Sequence, residues 1–89
     1  MHFEANLPVI IFKERNRFIA YTPALDISTS GKTFNQARKN FSILSNLFMQ
    51  ESIKKGTFNE VLEEAGWAKV NNEWHPPMVI SHETIPVRI

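Results

Sequence analysis

The chain of 89 residues contains no cysteine. Disulfides, thiolate nucleophiles and Cys-based zinc sites are thereby excluded together. Neither sign of charge dominates: ten Lys and Arg stand against nine Asp and Glu, a formal net charge of +1. The sequence pI of about 8.1 falls short of the value above ~9 usual for a dedicated DNA-binding domain. Long apolar runs are also missing. The longest, Pro8 to Phe12, is far below the roughly 18 residues of a membrane span. The N-terminus has no basic region followed by a cleavage site, so no signal peptide is expected. A hydrophobic share of 43% with 21% charged residues is the composition of a globular chain. A second core would need roughly 50 further residues. The expectation is one soluble cytoplasmic domain over residues 1–89, with no separate DNA-binding domain. A domain this small buries only about 60–65% of its unfolded surface and gains from association.

Along the chain, Ala5 to Phe12 reads as a strand with Pro8 near its start or on an edge. Lys13 to Arg17 is a polar turn, and Phe18 to Thr22 is a second, antiparallel strand. After Pro23, Leu25, Ile27 and Thr29 alternate with Asp26, Ser28 and Ser30 as a third strand with one wet face. Gly31, expected at positive φ, ends it. Thr33 with Gln36 forms a capping box. A helix of about 20 residues follows, its apolar stripe being Phe34, Ala37, Phe41, Leu44 and Phe48, widened by Leu47. Lys54 and Lys55 complement its dipole and Gly56 is its C′ residue. A second box, Thr57 with Glu60, opens a short helix that turns Phe58, Val61, Leu62 and Ala65 inward and closes at Gly66. Asn71-Asn72 suits a type I′ turn and predicts a small hairpin with Lys69 opposite Trp74. Pro76-Pro77 stops it, and Thr84 to Ile89 reads as a last strand with Ile85, Val87 and Ile89 on one face.

The expected fold class is therefore α+β: a three-stranded antiparallel meander, a long helix, a short helix and short C-terminal β elements. In the first two strands both faces are apolar. Ile10, Phe12, Ile19 and Tyr21 lie on one face, and Val9, Ile11, Phe18 and Ala20 on the other. One long helix covers only one of them. The other calls for the C-terminal segment, a second subunit or another protein. The self-association face is accordingly expected at Ile10, Phe12, Ile19 and Tyr21, giving at least a dimer.

Chemistry-bearing residues are sparse. His75 and His82 are seven apart in Pro-rich chain and His2 is remote, which is not metal-ligand spacing. Among the carboxylates, Asp26 alone falls at a predicted strand position, and Glu60, Glu63 and Glu64 form a solvated helical cluster. A two-metal nuclease needs several converging acids. Ser30-Gly31-Lys32-Thr33 resembles the tail of a phosphate loop, but position 26, where such a loop needs Gly, is Asp. Lys13, Arg15 and Arg17 cluster at a turn, and Arg38 and Lys39 lie on the exposed helix face. No aromatics interleave with them, so nucleic-acid binding by this chain alone is not expected. Trp67 and Trp74 read as core residues that become interface anchors where exposed. The expectation is a non-enzymatic chain with no catalytic residue, no metal and no cofactor.

Phe18-Ile19-Ala20-Tyr21-Thr22-Pro23-Ala24-Leu25, then Ser28-Thr29-Ser30-Gly31-Lys32-Thr33, then a helix with the early Ala37, resembles the HicB family of antitoxins over about residues 7–50. Gly56-Thr57-Phe58, Gly66-Trp67 and Trp74-His75-Pro76-Pro77 are similar to its small single-domain forms. The resemblance implies a degenerate ribonuclease H-like fold without the acidic metal-binding set. It implies a HicA-like toxin, an mRNA-cleaving protein, as the partner, inhibited by occlusion. Contacts are expected from Arg15, Arg17, Tyr21 and Trp74. Many members carry a C-terminal repressor domain. Twelve residues from Met78 to Ile89 that include Pro86 cannot form a helix-turn-helix, so operator binding is not expected. The alternatives are an orphan homo-oligomeric binding domain without a toxin and a small metal-dependent nuclease.

Overall fold

The computed structural model describes residues 3–89. Three antiparallel strands come first: β1 (Ile10–Glu14), β2 (Arg17–Thr22) and β3 (Ile27–Gly31), in that order across the sheet. Helix α1 (Phe34–Lys54), helix α2 (Phe58–Glu64) and a separate hairpin of β4 (Ala68–Val70) and β5 (Glu73–His75) follow. This is the α+β class and element order that the sequence predicts.

Local chemistry sets most of these boundaries. Thr33 is extended at φ −129°, and its hydroxyl accepts the Gln36 amide N–H at 3.0 Å, which starts α1. The predicted box is only half made, because the Gln36 side-chain amide donates to Asn40 Oδ1 at 2.8 Å instead of reaching back. Gly56 and Gly66 take φ of +73° and +91° as C′ residues after the two helices. Asn71 and Asn72 both have positive φ, 52° and 62°, and the hairpin register sets Lys69 opposite Trp74. The type I′ reading therefore holds.

Element boundaries and turns differ from the sequence reading at five further points. Pairing with β2 shifts the first strand from Ala5–Phe12 to Ile10–Glu14, so Lys13 and Glu14 are in the ladder and Arg15-Asn16 alone make the turn. The third strand starts only at Ile27, because Pro23–Asp26 is a turn closed by the Asp26 amide N–H on Thr22 O at 2.9 Å. Asp26 is thus a turn residue at φ 54°. Gly31 is a strand residue, and its φ is not positive. A Cβ there would lie 2.5 Å from the Ala37 nitrogen, so glycine is needed for close approach of the helix. The box at Thr57 does not form: with ψ 7° it lacks the extended geometry of an N-cap, and its hydroxyl makes no cap bond. Finally, residues 76–89 form no strand. Ile85, Val87 and Ile89 alternate as a strand would, but no neighbouring strand pairs with them, and all three are exposed.

Helix α1 lies on the sheet face that carries Phe18 and Ala20. Ala20, Ala37 and Phe41 are buried between them, with Ile11, Phe18, Ile27 and Leu7 packed around. A second cluster, Ala24, Leu25, Phe58, Leu62 and Trp67, fills the space between the β2–β3 turn and α2. Leu7 and Ile27 touch both clusters and join them. The Trp67 indole N–H donates to Ala24 O at 2.7 Å, which satisfies both buried polar groups. Two members of the predicted helical stripe, Phe34 and Leu47, are about half exposed, at 49% and 55%. The buried line runs instead through Ala37, Phe41 and Ser52. Asn40, expected off the stripe, is half-buried and donates to Ser30 O at 2.9 Å.

Candidate protein-interaction site

Side chains alternate across a strand. With Phe18 and Ala20 turned to α1, Ile10, Phe12, Ile19 and Tyr21 project from the opposite face. The register sets Ile10 directly opposite Tyr21 and Phe12 directly opposite Ile19. Ser28 and Ser30 continue these two rows on β3. The result is an apolar patch over β1 and β2 with a hydroxyl margin. At its tip end, the Arg17 guanidinium donates to Ser30 Oγ from Nε at 3.3 Å and from Nη2 at 3.2 Å. At the other end, the Tyr21 hydroxyl donates to Asp26 Oδ1 at 3.0 Å. That hydrogen bond, with lesser contributions from desolvation and the Asp26 charge, raises the Tyr21 pKa above its ordinary value of 10.0.

Nothing in the described chain covers this face. Phe12 is 45% exposed, Ile10, Ile19 and Tyr21 are half-buried, and none of the four belongs to either buried cluster. The C-terminal segment, one of the three expected covers, is exposed at every residue from Met78 to Ile89. Its covering role is therefore withdrawn. The four residues of the expected self-association face do form one continuous surface.

The expected toxin contacts are less unified. Arg17 and Tyr21 flank the patch, and Arg15 sits at the hairpin tip with φ 55°. Trp74 belongs to the second sheet. It packs half-buried against the cluster that contains Trp67, and the Lys69 ammonium lies 5.4 Å from its ring centre. The structure thus groups three of the four and leaves Trp74 elsewhere. Trp67 is 5% exposed and serves the core.

The remaining polar groups do not converge. His75 Nε2 lies 4.0 Å from Glu73 Oε2 on the exposed β5 strand, His82 is in the exposed tail, and His2 lies outside the described residues. Among the described residues, no three of His, Asp and Glu come together as a metal-holding group. Lys32 follows strand β3 directly and Thr33 caps α1, so Ser30–Thr33 forms no phosphate-loop turn. Among the described residues, no helix is long and apolar enough to cross a membrane. The sequence marked the patch through alternation. It gave no sign of the Tyr21–Asp26 bond, which depends on Asp26 taking a left-handed turn conformation. No family model, curated protein or solved structure matches the chain.

Proposed function

We propose that this chain is a protein-binding domain of the HicB-antitoxin type, which inhibits a HicA-like mRNA-cleaving toxin by occlusion and does no chemistry of its own. One observation carries the reading: the apolar outer face of the sheet, Ile10, Phe12, Ile19 and Tyr21, has no cover from its own chain. Burying that face stabilises a complex through apolar area, at roughly 25 cal/mol per Å² before association costs. Arg17 and Tyr21 at its ends supply polar groups for orientation, with Arg15 near by at the tip. Large aromatics and Arg are the residue types enriched at such contacts.

The same face supports a second reading, an orphan homo-oligomer in which another copy of the chain is the cover. A two-fold contact needs only a self-complementary patch, and the paired rows Ile10–Tyr21 and Phe12–Ile19 are adjacent and apolar.

Co-expression with the product of the neighbouring small open reading frame separates these readings. The antitoxin reading expects rescue of growth and a stoichiometric complex that Phe12→Ser with Ile19→Ser abolishes. Absence of both rescue and complex at about micromolar concentration would overturn it. A homo-oligomer that the same double substitution dissolves would then establish the second reading.

A further inference from the structure

The strand register and the start of α1 bring together basic residues that the sequence keeps apart. Antiparallel pairing sets Lys13, Phe18 and Gly31 in one row across the three strands. Lys32 follows Gly31 directly, and the Gly31 backbone lies against Ala37, next to Arg38 and Lys39. Lys13, Arg15, Arg17, Lys32, Arg38 and Lys39 therefore share one end of the molecule, surrounding the β1–β2 tip and the first turns of α1. These are six of the chain's ten basic residues, and the only acid among them is Glu14. The other four basic residues share the rest of the chain with eight acids. A net charge of +1 thus conceals a strongly positive end and an acidic remainder.

Three further features point to a ligand. None of the six is in an ion pair among the described residues. The first turn of α1 holds no acid to offset its positive dipole end. Arg15 occupies φ 55°, a conformation that Gly or Asn adopts more easily than a bulky side chain. The two-residue hairpin turn imposes that conformation and holds the Arg15 side chain out at the tip. At the first residue of α1, beside Arg38, stands an exposed aromatic ring. Phe34 is 49% exposed, and the Arg38 guanidinium lies 6.0 Å from its ring centre. Its place in the helical stripe suggested a core role, which the structure does not give it. A positive surface next to an exposed ring is the combination that holds a single strand: cations track the phosphates and a base stacks on the ring. An acidic protein partner would use the charges but has no need of the ring.

We propose that this end binds single-stranded nucleic acid through its phosphates, with one base stacked on Phe34. The proposal goes beyond the protein-binding reading: Arg15 and Arg17 border both surfaces, but Phe34, Lys32 and Lys39 lie outside the apolar sheet patch, so their variants test this proposal without touching that reading.

The test is fluorescence anisotropy of a labelled oligouridylate with the full chain across a salt series. Affinity is expected to fall with salt, with a log–log slope of about −0.7 per phosphate contacted. Lys32→Gln with Lys39→Gln should lower affinity at least about fivefold and flatten the slope. Phe34→Ala should also lower affinity at least about fivefold, because one stacked base is lost. Arg15→Gly should weaken binding while the melting temperature stays level or rises, which separates a contact role from a folding role. Lys54→Gln with Lys55→Gln, at the far end of α1, should leave affinity within about twofold. Any of three results would overturn the proposal: no binding at low salt, an equal loss in the Lys54 and Lys55 control, or displacement by a poly-glutamate peptide as effective as by oligouridylate. The last would make the partner an acidic protein. Duplex binding as tight as single-strand binding, with Phe34→Ala silent, would overturn the stacking role and with it the single-strand assignment.

Discussion

The missing side chain of Gly31 is what lets α1 approach the sheet so closely. A methyl group there would sit 2.5 Å from Ala37 N and 2.8 Å from the Gln36 carbonyl carbon, both backbone atoms that cannot rotate aside. Gly31→Ala should therefore cost about 3 kcal/mol, since the helix must lift from the strand it packs on. Urea unfolding of the variant would read this as a lower midpoint with an unchanged slope. Tyr21 permits an equally direct measurement, because it is the only tyrosine in the chain. Its hydroxyl donates to Asp26, so the neutral phenol is the favoured form and its pKa is raised. A folded pKa above the unfolded one means that this contribution to stability is complete below about pH 10 and is lost as pH rises through the folded value. Ultraviolet titration should place the phenolate midpoint above 10, and Asp26→Ala should return it toward the ordinary value. A wild-type midpoint at or below 10 would show that the bond does not persist in solution.

The elements show how far local sequence reaches. Thr33-x-x-Gln36 and Thr57-x-x-Glu60 look alike on paper, yet only Thr33 caps a helix. The difference lies in the preceding residues. Thr57 comes directly after the left-handed Gly56, and that turn brings its hydroxyl 3.5 Å from Ser52 O. Thr33→Ala should therefore cost about 1 kcal/mol and Thr57→Ala about half that or less. Thermal melts of the two variants should fall in that order. Helix α1, its Gly56 terminus and the Asn71-Asn72 turn were legible because each depends on residues within a few positions. Strand limits were less so. β1 runs to Glu14 because Arg17 pairs with it, and the tail alternates without finding a partner strand. At the candidate site, the apolar rows could be read from alternation. The placing of Lys32 and Arg38 at the same end as the Arg15-Asn16 turn could not, since it depends on a three-strand register and a close helix contact.

For the whole molecule, the uncovered sheet face makes surface and stability separable. Phe12 is already 45% exposed, so Phe12→Ser should change the melting temperature of the dilute chain by only a few degrees. The same substitution should lower the apparent mass in light scattering at high concentration. A variant whose mass is unchanged would show that the patch is not where copies meet. The two buried clusters also differ in which parts of the chain complete them. The cluster around Ala20, Ala37 and Phe41 uses residues up to Phe41. The one around Leu25 is unfinished without Phe58, Leu62 and Trp67, and the indole of Trp67 reaches back across 43 residues to Ala24. During synthesis, then, the meander and α1 leave the ribosome with a gap open beneath the β2–β3 turn. It stays open until the tryptophan emerges, 13 residues after the end of α1 at Lys54, so the nascent chain exposes Leu25 for about one to two seconds more at ordinary elongation rates of about 5–20 residues per second.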